Sequence, residues 1–482
     1  MKRKRYLFFV VIICLICKLC LSSFSAVAIP LKVSVNQDIK LVNQDLCLNF
    51  QNSFEKLRIQ NAQKYQGRKK NQKKVKLASN WIEKLRLIEF SKTLGEDCDL
   101  YARNKSIFLD NRDTAIFRSI MLKNGIAVTL MLYDADSIKL KIHWVPISKK
   151  IAIKTVNELR RNLERLSDRQ ESYKEKASEV YNWLILPFTK DLQDIKTLVF
   201  IQNNIFCTIP MASLYDGKHF LVEKYAIANT ASLSLTNSQT LNSLNSENLK
   251  ILAFGLNSSS SIDEKTFFPP LSGVKVEIEG IRKLIPQKKI FFNKHFTSQN
   301  LSQQLEKYQP NILHLATHAR FSYDSQQPFL VTGEEKFTIK NNPSLIYLKR
   351  KQAVIKYNKI LNLRQLYQII KTTQINHNQY LELLTLTGCQ TAIGREKDAI
   401  LIAGLSLQSK VKSTVASLWN IDDAATARLI VDFYQNLLGG MSKAEALQAA
   451  QKKWLVRNSA APYSHPGYWA PFILVGDWLY FD

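Results

Sequence analysis

Hydrophobic and polar positions change rhythm along the 482-residue chain. The first clear rhythm is helical. From about Ser79, the residues Trp81, Leu85, Ile88 and Leu94 recur near helical spacing, and Leu87 broadens the stripe. Three β-like runs follow, Thr114–Ile120, Gly125–Tyr133 and Ser137–Val145. Asn124-Gly125 is a hairpin signal, and Asp134–Ser137 turns the second run into the third, so an antiparallel meander is predicted. Two polar helices are expected next, over Ser148–Leu166 and Arg169–Leu186, with a stop near Pro187.

Beyond residue 190 the rhythm becomes strand–helix alternation. The short apolar runs are Thr197–Gln202, Ala226–Thr230, Lys250–Phe254, Lys289–Phe292, Asn311–Thr317, Leu381–Thr387 and Ser413–Trp419. Helical stretches between and after them include Val274–Leu284, Ser298–Lys307, Ile402–Gln408, Ala424–Leu438 and Ser442–Val456. Such alternation predicts an α/β fold with a mostly parallel sheet flanked by helices. In sheets of this kind reactive side chains sit beyond the carboxyl ends of the strands. Asn257–Pro270 reads as a loop that runs from polar to aromatic. Ser322–Lys359 reads as an irregular charged insertion, a surface lid or mobile loop. Asp422 and Asp423 are expected to cap Ala424–Leu438, and Trp469 and Trp478 to lie in the core.

Composition sets the class. With 46% hydrophobic and 22% charged residues the chain can bury a core, which excludes a wholly disordered polymer. Lys and Arg number 67 against 40 Asp and Glu, a net charge of +27. Seven cysteines are too few for a disulfide-built scaffold. Part of the charge belongs to targeting. Met-Lys-Arg-Lys-Arg precedes an apolar run from Tyr6 to Cys17, and Ala26-Val27-Ala28 closes a small-residue stretch. Residues 1–28 therefore read as a secretory signal, or as an uncleaved anchor if Lys18 snorkels to the surface. Export or membrane attachment is the expected localisation. Residues 29–78 read as a basic polar linker. Within it, Lys64, Arg68, Lys69, Lys70, Lys73, Lys74 and Lys76 have no acid among them. This stretch is a solvated face or a contact for an anionic surface or lipid. No aromatic interleaving supports specific nucleic-acid binding.

Few residues combine reactivity with a telling position. His318 follows the apolar run Asn311–Thr317, and Cys389 follows Leu381–Thr387. Two strand ends in one parallel sheet can lie side by side, which would bring an imidazole to a thiol. The backbone amides of Ala319 and of Cys389 itself could then line an oxyanion site. Read from the residues alone, Cys389 is more often a small buried hydrophobe than a nucleophile, and His318 more often a satisfied strand-end histidine. His314 falls inside the strand and reads as core. His314-x-x-x-His318 lacks the glutamate of a zinc protease and sits on a strand, so neither metal nor other cofactor is expected.

Several motifs in order resemble the CHAT family of caspase-like domains. They are His-Leu-Ala-Thr-His-Ala-Arg-Phe (314–321), Leu-Thr-Leu-Thr-Gly-Cys-Gln-Thr-Ala-Ile-Gly (384–394), Ser-Thr-Val-Ala-Ser-Leu-Trp-Asn-Ile-Asp-Asp (413–423) and His-Pro-Gly-Tyr-Trp-Ala-Pro-Phe-Ile-Leu-Val-Gly-Asp (465–477). Ile209–Lys218, Leu221–Ala228 and Ser442–Gln451 also look like the family, and 80–145 resembles the region preceding the domain in cyanobacterial members. The resemblance implies a caspase-like domain over 189–482, preceded by a small α+β module over 79–188. It implies a cysteine endopeptidase acting on protein substrates, with Cys389 as nucleophile and His318 as general base. The alternative is a catalytically inactive module that binds a protein partner. Two departures stand out. Ala319 replaces the glycine common after the histidine. Thr387, the candidate pocket residue, is neutral where related metacaspases carry an acid that favours basic side chains. No third residue that would orient the imidazole can be named from the motifs.

Overall fold

The computed structural model describes residues 113–482, apart from 123, 135–136, 169, 203–204, 231–248, 321–328, 342–351, 378–379, 390–410, 420, 457–463 and 482. The expected leader or anchor, the basic linker, the helix from Ser79 and the helix Ile402–Gln408 lie outside the described residues.

The meander forms as its alternation predicts: β1 (Thr114–Leu122), β2 (Gly125–Asp134) and β3 (Ser137–Val145) pair antiparallel in sequence order. Leu122 faces Gly125 across a two-residue turn. Gly125 serves this hairpin through space rather than through a left-handed backbone. Its φ is not positive, and a Cβ there would run into the ring of Trp144 on β3. Two helices follow, α1 (Lys149–Glu164), capped by the Ser148 hydroxyl, and α2 (Ser172–Leu184). Pro187 then lies in a 3₁₀ turn, Leu186–Asp191, since its ring cannot continue an α-helix.

The alternating part begins with β4 (Thr197–Ile201), the short α3 (Leu221–Lys224) and β5 (Ala226–Asn229). Next come β6 (Lys250–Gly255), a two-residue strand pair β7 (Ser260–Ser261) and β8 (Phe267–Phe268), then α4 (Ser272–Leu284), β9 (Gln287–Phe292) and α5 (Ser298–Tyr308). They lead to β10 (Ile312–Arg320), β11 (Phe329–Asn341), β12 (Gln352–Asn362), α6 (Leu363–His377) and β13 (Leu381–Cys389). The chain closes with β14 (Val411–Ser417), α7 (Asp423–Leu438), α8 (Lys443–Val456), α9 (Pro466–Trp469) and β15 (Phe472–Gly476).

All strands but β7 and β8 join one sheet. It consists of two parallel blocks. β9, β6, β10, β13 and β14 run in one direction, while β15, β5, β4 and β1 run in the other. The antiparallel pair β14–β15 is the seam between them. Through β1 and β4 the meander extends this same sheet. Continuous burial along β4, β6 and β10 follows from cover on both faces, which is why those strands read as unbroken apolar runs.

Three readings need correction. The insertion expected to be irregular is mostly a long hairpin, β11–β12, registered from Glu335↔Asn358 to Asn341↔Gln352. It extends the sheet beyond the end of β6, where no apolar face is demanded, so its charged sequence conceals strands. α6 and β15 were not expected as elements. Of the two aspartates, Asp422 caps α7 through the Ala425 amide (2.9 Å), while Asp423 reaches across to the Gly273 amide at the start of α4. Burial pushes the Asp423 carboxyl above its ordinary range. Trp469 and Trp478 are core residues, as expected.

Candidate active site

The site lies where β10 and β13 end. The two strands are parallel neighbours, registered from Ile312↔Leu383 to Ala316↔Thr387 and again at Ala319↔Cys389. Between the last two pairs β10 carries one residue more than β13, a bulge of the kind that re-aims a side chain. Both strands run past their expected ends: β10 reaches Arg320 because β11 takes over pairing at Ala319↔Leu330 and Arg320↔Phe329, and β13 reaches Cys389 by pairing with Ala319 of β10. The register thus sets the backbone of Cys389 beside Ala319, one residue from His318. Parallel neighbours stand about 4.8 Å apart. Ala319 is fully buried within this ladder, flanked on both sides.

His318 is 3% exposed. Its Nε2 lies 2.7 Å from the carbonyl oxygen of Pro269. A carbonyl only accepts, so Nε2 carries the proton and Nδ1 keeps the lone pair. The imidazole rests against Phe268, with ring centroids 4.9 Å apart. Burial pulls its pKa below the ordinary histidine value, against the smaller opposing effect of the Pro269 carbonyl. The ring is therefore neutral, oriented and basic at Nδ1. Pro269 is the orienting partner the sequence did not name. The only hint was the aromatic end of the loop Asn257–Pro270, since a backbone acceptor leaves no side-chain signature.

His314 is core, as read, but not apolar in its contacts. It lies fully buried between β10 and the helices, 3.2 Å from Glu277 Oε1 of α4 and 3.3 Å from the Tyr434 hydroxyl of α7. Tyr434 in turn meets Thr385 of β13 at 2.8 Å. This polar cluster ties α4 and α7 to the two site-bearing strands. Further along, Gly255, Ala316 and Thr387 form one row across the sheet. At Gly255 the packing is close: a Cβ would come within 2.6 Å of the Ile278 side-chain tip on α4, which would have to move. Thr387 is 1% exposed, and its hydroxyl has no hydrogen-bond partner among the described residues. Among the described residues no group of His, Cys, Asp or Glu is arranged to hold a metal ion, and no helix is long and apolar enough to cross a membrane.

The CHAT domain family matches residues 174–477, more than half of the chain. The protein belongs to the CHAT domain family. Among curated proteins it resembles tetratricopeptide repeat protein 28 of Homo sapiens, 37% identical over 70 residues, which are 14% of this chain and 3% of that protein. The Mus musculus counterpart is 32% identical over 98 residues, 20% of this chain and 4% of that protein. The chain thus spans only a few per cent of the length of these relatives. Among solved structures it resembles the Arg-specific cysteine proteinase gingipain R, at 9% identity and a TM-score of 0.39, covering 69% of this chain and 76% of that one. It also resembles the Saccharomyces cerevisiae separase–securin complex, at 9% identity and a TM-score of 0.41, covering 76% of this chain and 30% of that one.

Proposed function

We propose that the protein is a caspase-like cysteine endopeptidase that cuts protein substrates through Cys389 and His318. The observation that carries this reading is the meeting of two strand ends: Ala319 registers with Cys389, and the adjacent His318 is neutral, buried and oriented by Pro269. The imidazole takes the thiol proton, and the thiolate attacks the peptide carbonyl carbon. The backbone amides of Cys389 and Ala319 are the candidate donors for the developing oxyanion. Collapse of the adduct breaks the C–N bond, and the amine leaves with the proton from the imidazolium. Water, deprotonated by His318, then hydrolyses the thioester and restores the thiol. Thr387, neutral and buried, supplies no charge to select a basic side chain.

A proteome-derived peptide library incubated with the wild type and with Cys389→Ala tests this. Cleavage confined to the wild type is expected. In parallel, a thiol-alkylating probe should label Cys389 much faster than Cys207, and His318→Ala should remove the difference. Slow labelling of Cys389 that is indifferent to His318→Ala, with no cleavage, would leave the inactive partner-binding module in its place. Attachment to an anionic surface through Lys64–Lys76, and export or anchoring through residues 1–28, are separate proposals. Sequencing the mature N-terminus and vesicle co-sedimentation of a variant neutralised at 64–76 decide them.

A further inference from the structure

Arg320 stands two residues beyond His318 on the same strand. One ring shows that the two side chains are neighbours. Phe268 lies 4.9 Å from the His318 ring and 5.8 Å from the Arg320 guanidinium carbon. A second ring, Phe329 on β11, lies 5.9 Å from the same guanidinium. Both rings are buried, whereas Arg320 is partly exposed at the site's edge. Stacking of this kind restrains the long side chain, so less entropy is lost when its N–H groups bind a ligand.

The guanidinium has not been neutralised. Among the described residues no carboxylate lies within ion-pair distance of it. Asp263, whose carboxyl feels the Arg320 charge, is engaged by its own loop: it accepts the amides of Lys265 (2.9 Å) and Thr266 (2.8 Å) and the Thr266 hydroxyl (3.2 Å). A partly exposed cation, restrained by two rings and without an ion-pair partner among the described residues, therefore flanks the imidazole. The Phe268 ring lies 4.9 Å from the imidazole and 5.8 Å from the guanidinium carbon, so the two groups are no farther apart than about three residues of extended peptide at roughly 3.5 Å each would span.

We propose that Arg320 selects substrates by binding the carboxylate of an Asp or Glu side chain within two or three residues of the bond presented to Cys389 and His318. The inference rests on the peptidase reading for the seating of the peptide. Its chemistry is the planar guanidinium fork, which matches a carboxylate with two parallel hydrogen bonds. An acidic preference also agrees with the neutral Thr387.

The test uses the full chain with Cys389→Ala, so that bound peptide is not turned over. Fluorescence anisotropy compares matched peptides carrying Asp, Asn or Lys at each position near the centre. At one position the Asp peptide is expected to bind about five- to tenfold more tightly than its Asn twin, the range of an exposed to charge-assisted pair. Arg320→Gln should abolish that ratio. Arg320→Lys, which keeps the charge but loses the fork, should remove most of it. Lys154→Gln, an equal change of charge on exposed α1, should leave it intact. A ratio that survives Arg320→Gln, one that Lys154→Gln reduces equally, or no binding of any peptide would overturn the proposal. The two readings separate by cleavage of the same peptides with the wild type. An Arg320-dependent ratio without cleavage sinks the peptidase reading alone. Cleavage indifferent to acid and to Arg320→Gln sinks the selectivity alone.

Discussion

Replacing Lys443 by Met should be among the costliest single changes in the protein. Lys443, at the start of α8, is 0% exposed. Its Nζ lies 3.0 Å from Asp477 Oδ2 and 4.0 Å from Glu382 Oε2, both carboxylates being almost fully buried. Lys412 serves Glu382 at 2.7 Å, and no other cation forms an ion pair with Asp477 among the described residues. The cluster joins α8 to the first residues of β13 and β14 and to the residue after β15, where Ser413 also donates to the Asp477 carbonyl at 2.7 Å. Methionine fills much of the lysine volume, so packing changes little and the loss is electrostatic. Stranding a buried carboxylate costs about 3–5 kcal/mol. Urea unfolding followed by tryptophan fluorescence measures it, because Trp478 is buried where its carbonyl accepts the Ala444 amide. A second variant checks the cause. Adding Asp477→Asn to Lys443→Met should recover more than half of the loss. A cost below about 1 kcal/mol, or one that Asp477→Asn does not reduce, would refute the argument that this buried charge is held by its partner.

Further outcomes follow from the buried histidines and from Gly125. His318 and His465 both have pKa values pulled below the ordinary histidine value by burial, so the unfolded chain binds protons first as pH falls. Folding stability should therefore decline as pH drops through about 6.5, and His318→Gln should flatten the decline in urea midpoints measured between pH 7.5 and 5.5. Gly125→Ala should destabilise by about 1–3 kcal/mol, because the added carbon meets the Trp144 ring. Gly125→Ala combined with Trp144→Leu should cost less than the sum of the two single changes, and strict additivity in thermal melts would argue against the steric cause.

Some parts of the fold were legible residue by residue. The meander could be read because period-two alternation and a two-residue turn are local facts, and Leu122↔Gly125 and Asp134↔Ser137 pair where the turns placed them. β4, β6, β10 and β13 could be read because strands covered on both faces must be apolar throughout. The hairpin β11–β12 could not, since its strands are held by backbone pairing at the periphery and carry charges. Asp423 looked like a second cap for α7, but a helix from elsewhere in the chain supplies its partner.

The sequence by itself determined the chemistry on offer: an imidazole and a thiol, each closing an apolar run, with motifs that define the family. Tertiary structure decided what those groups meet. Only the register of β10 on β13, with its bulge, sets Ala319 against Cys389. Only the fold of the loop before α4 brings a Pro269 carbonyl and a Phe268 ring to His318, and only β11 completes the aromatic flank of Arg320. The physical reason is common to all three. A backbone acceptor, a strand register and a shared ring are relations between residues far apart in the chain, and no local pattern of side chains encodes them.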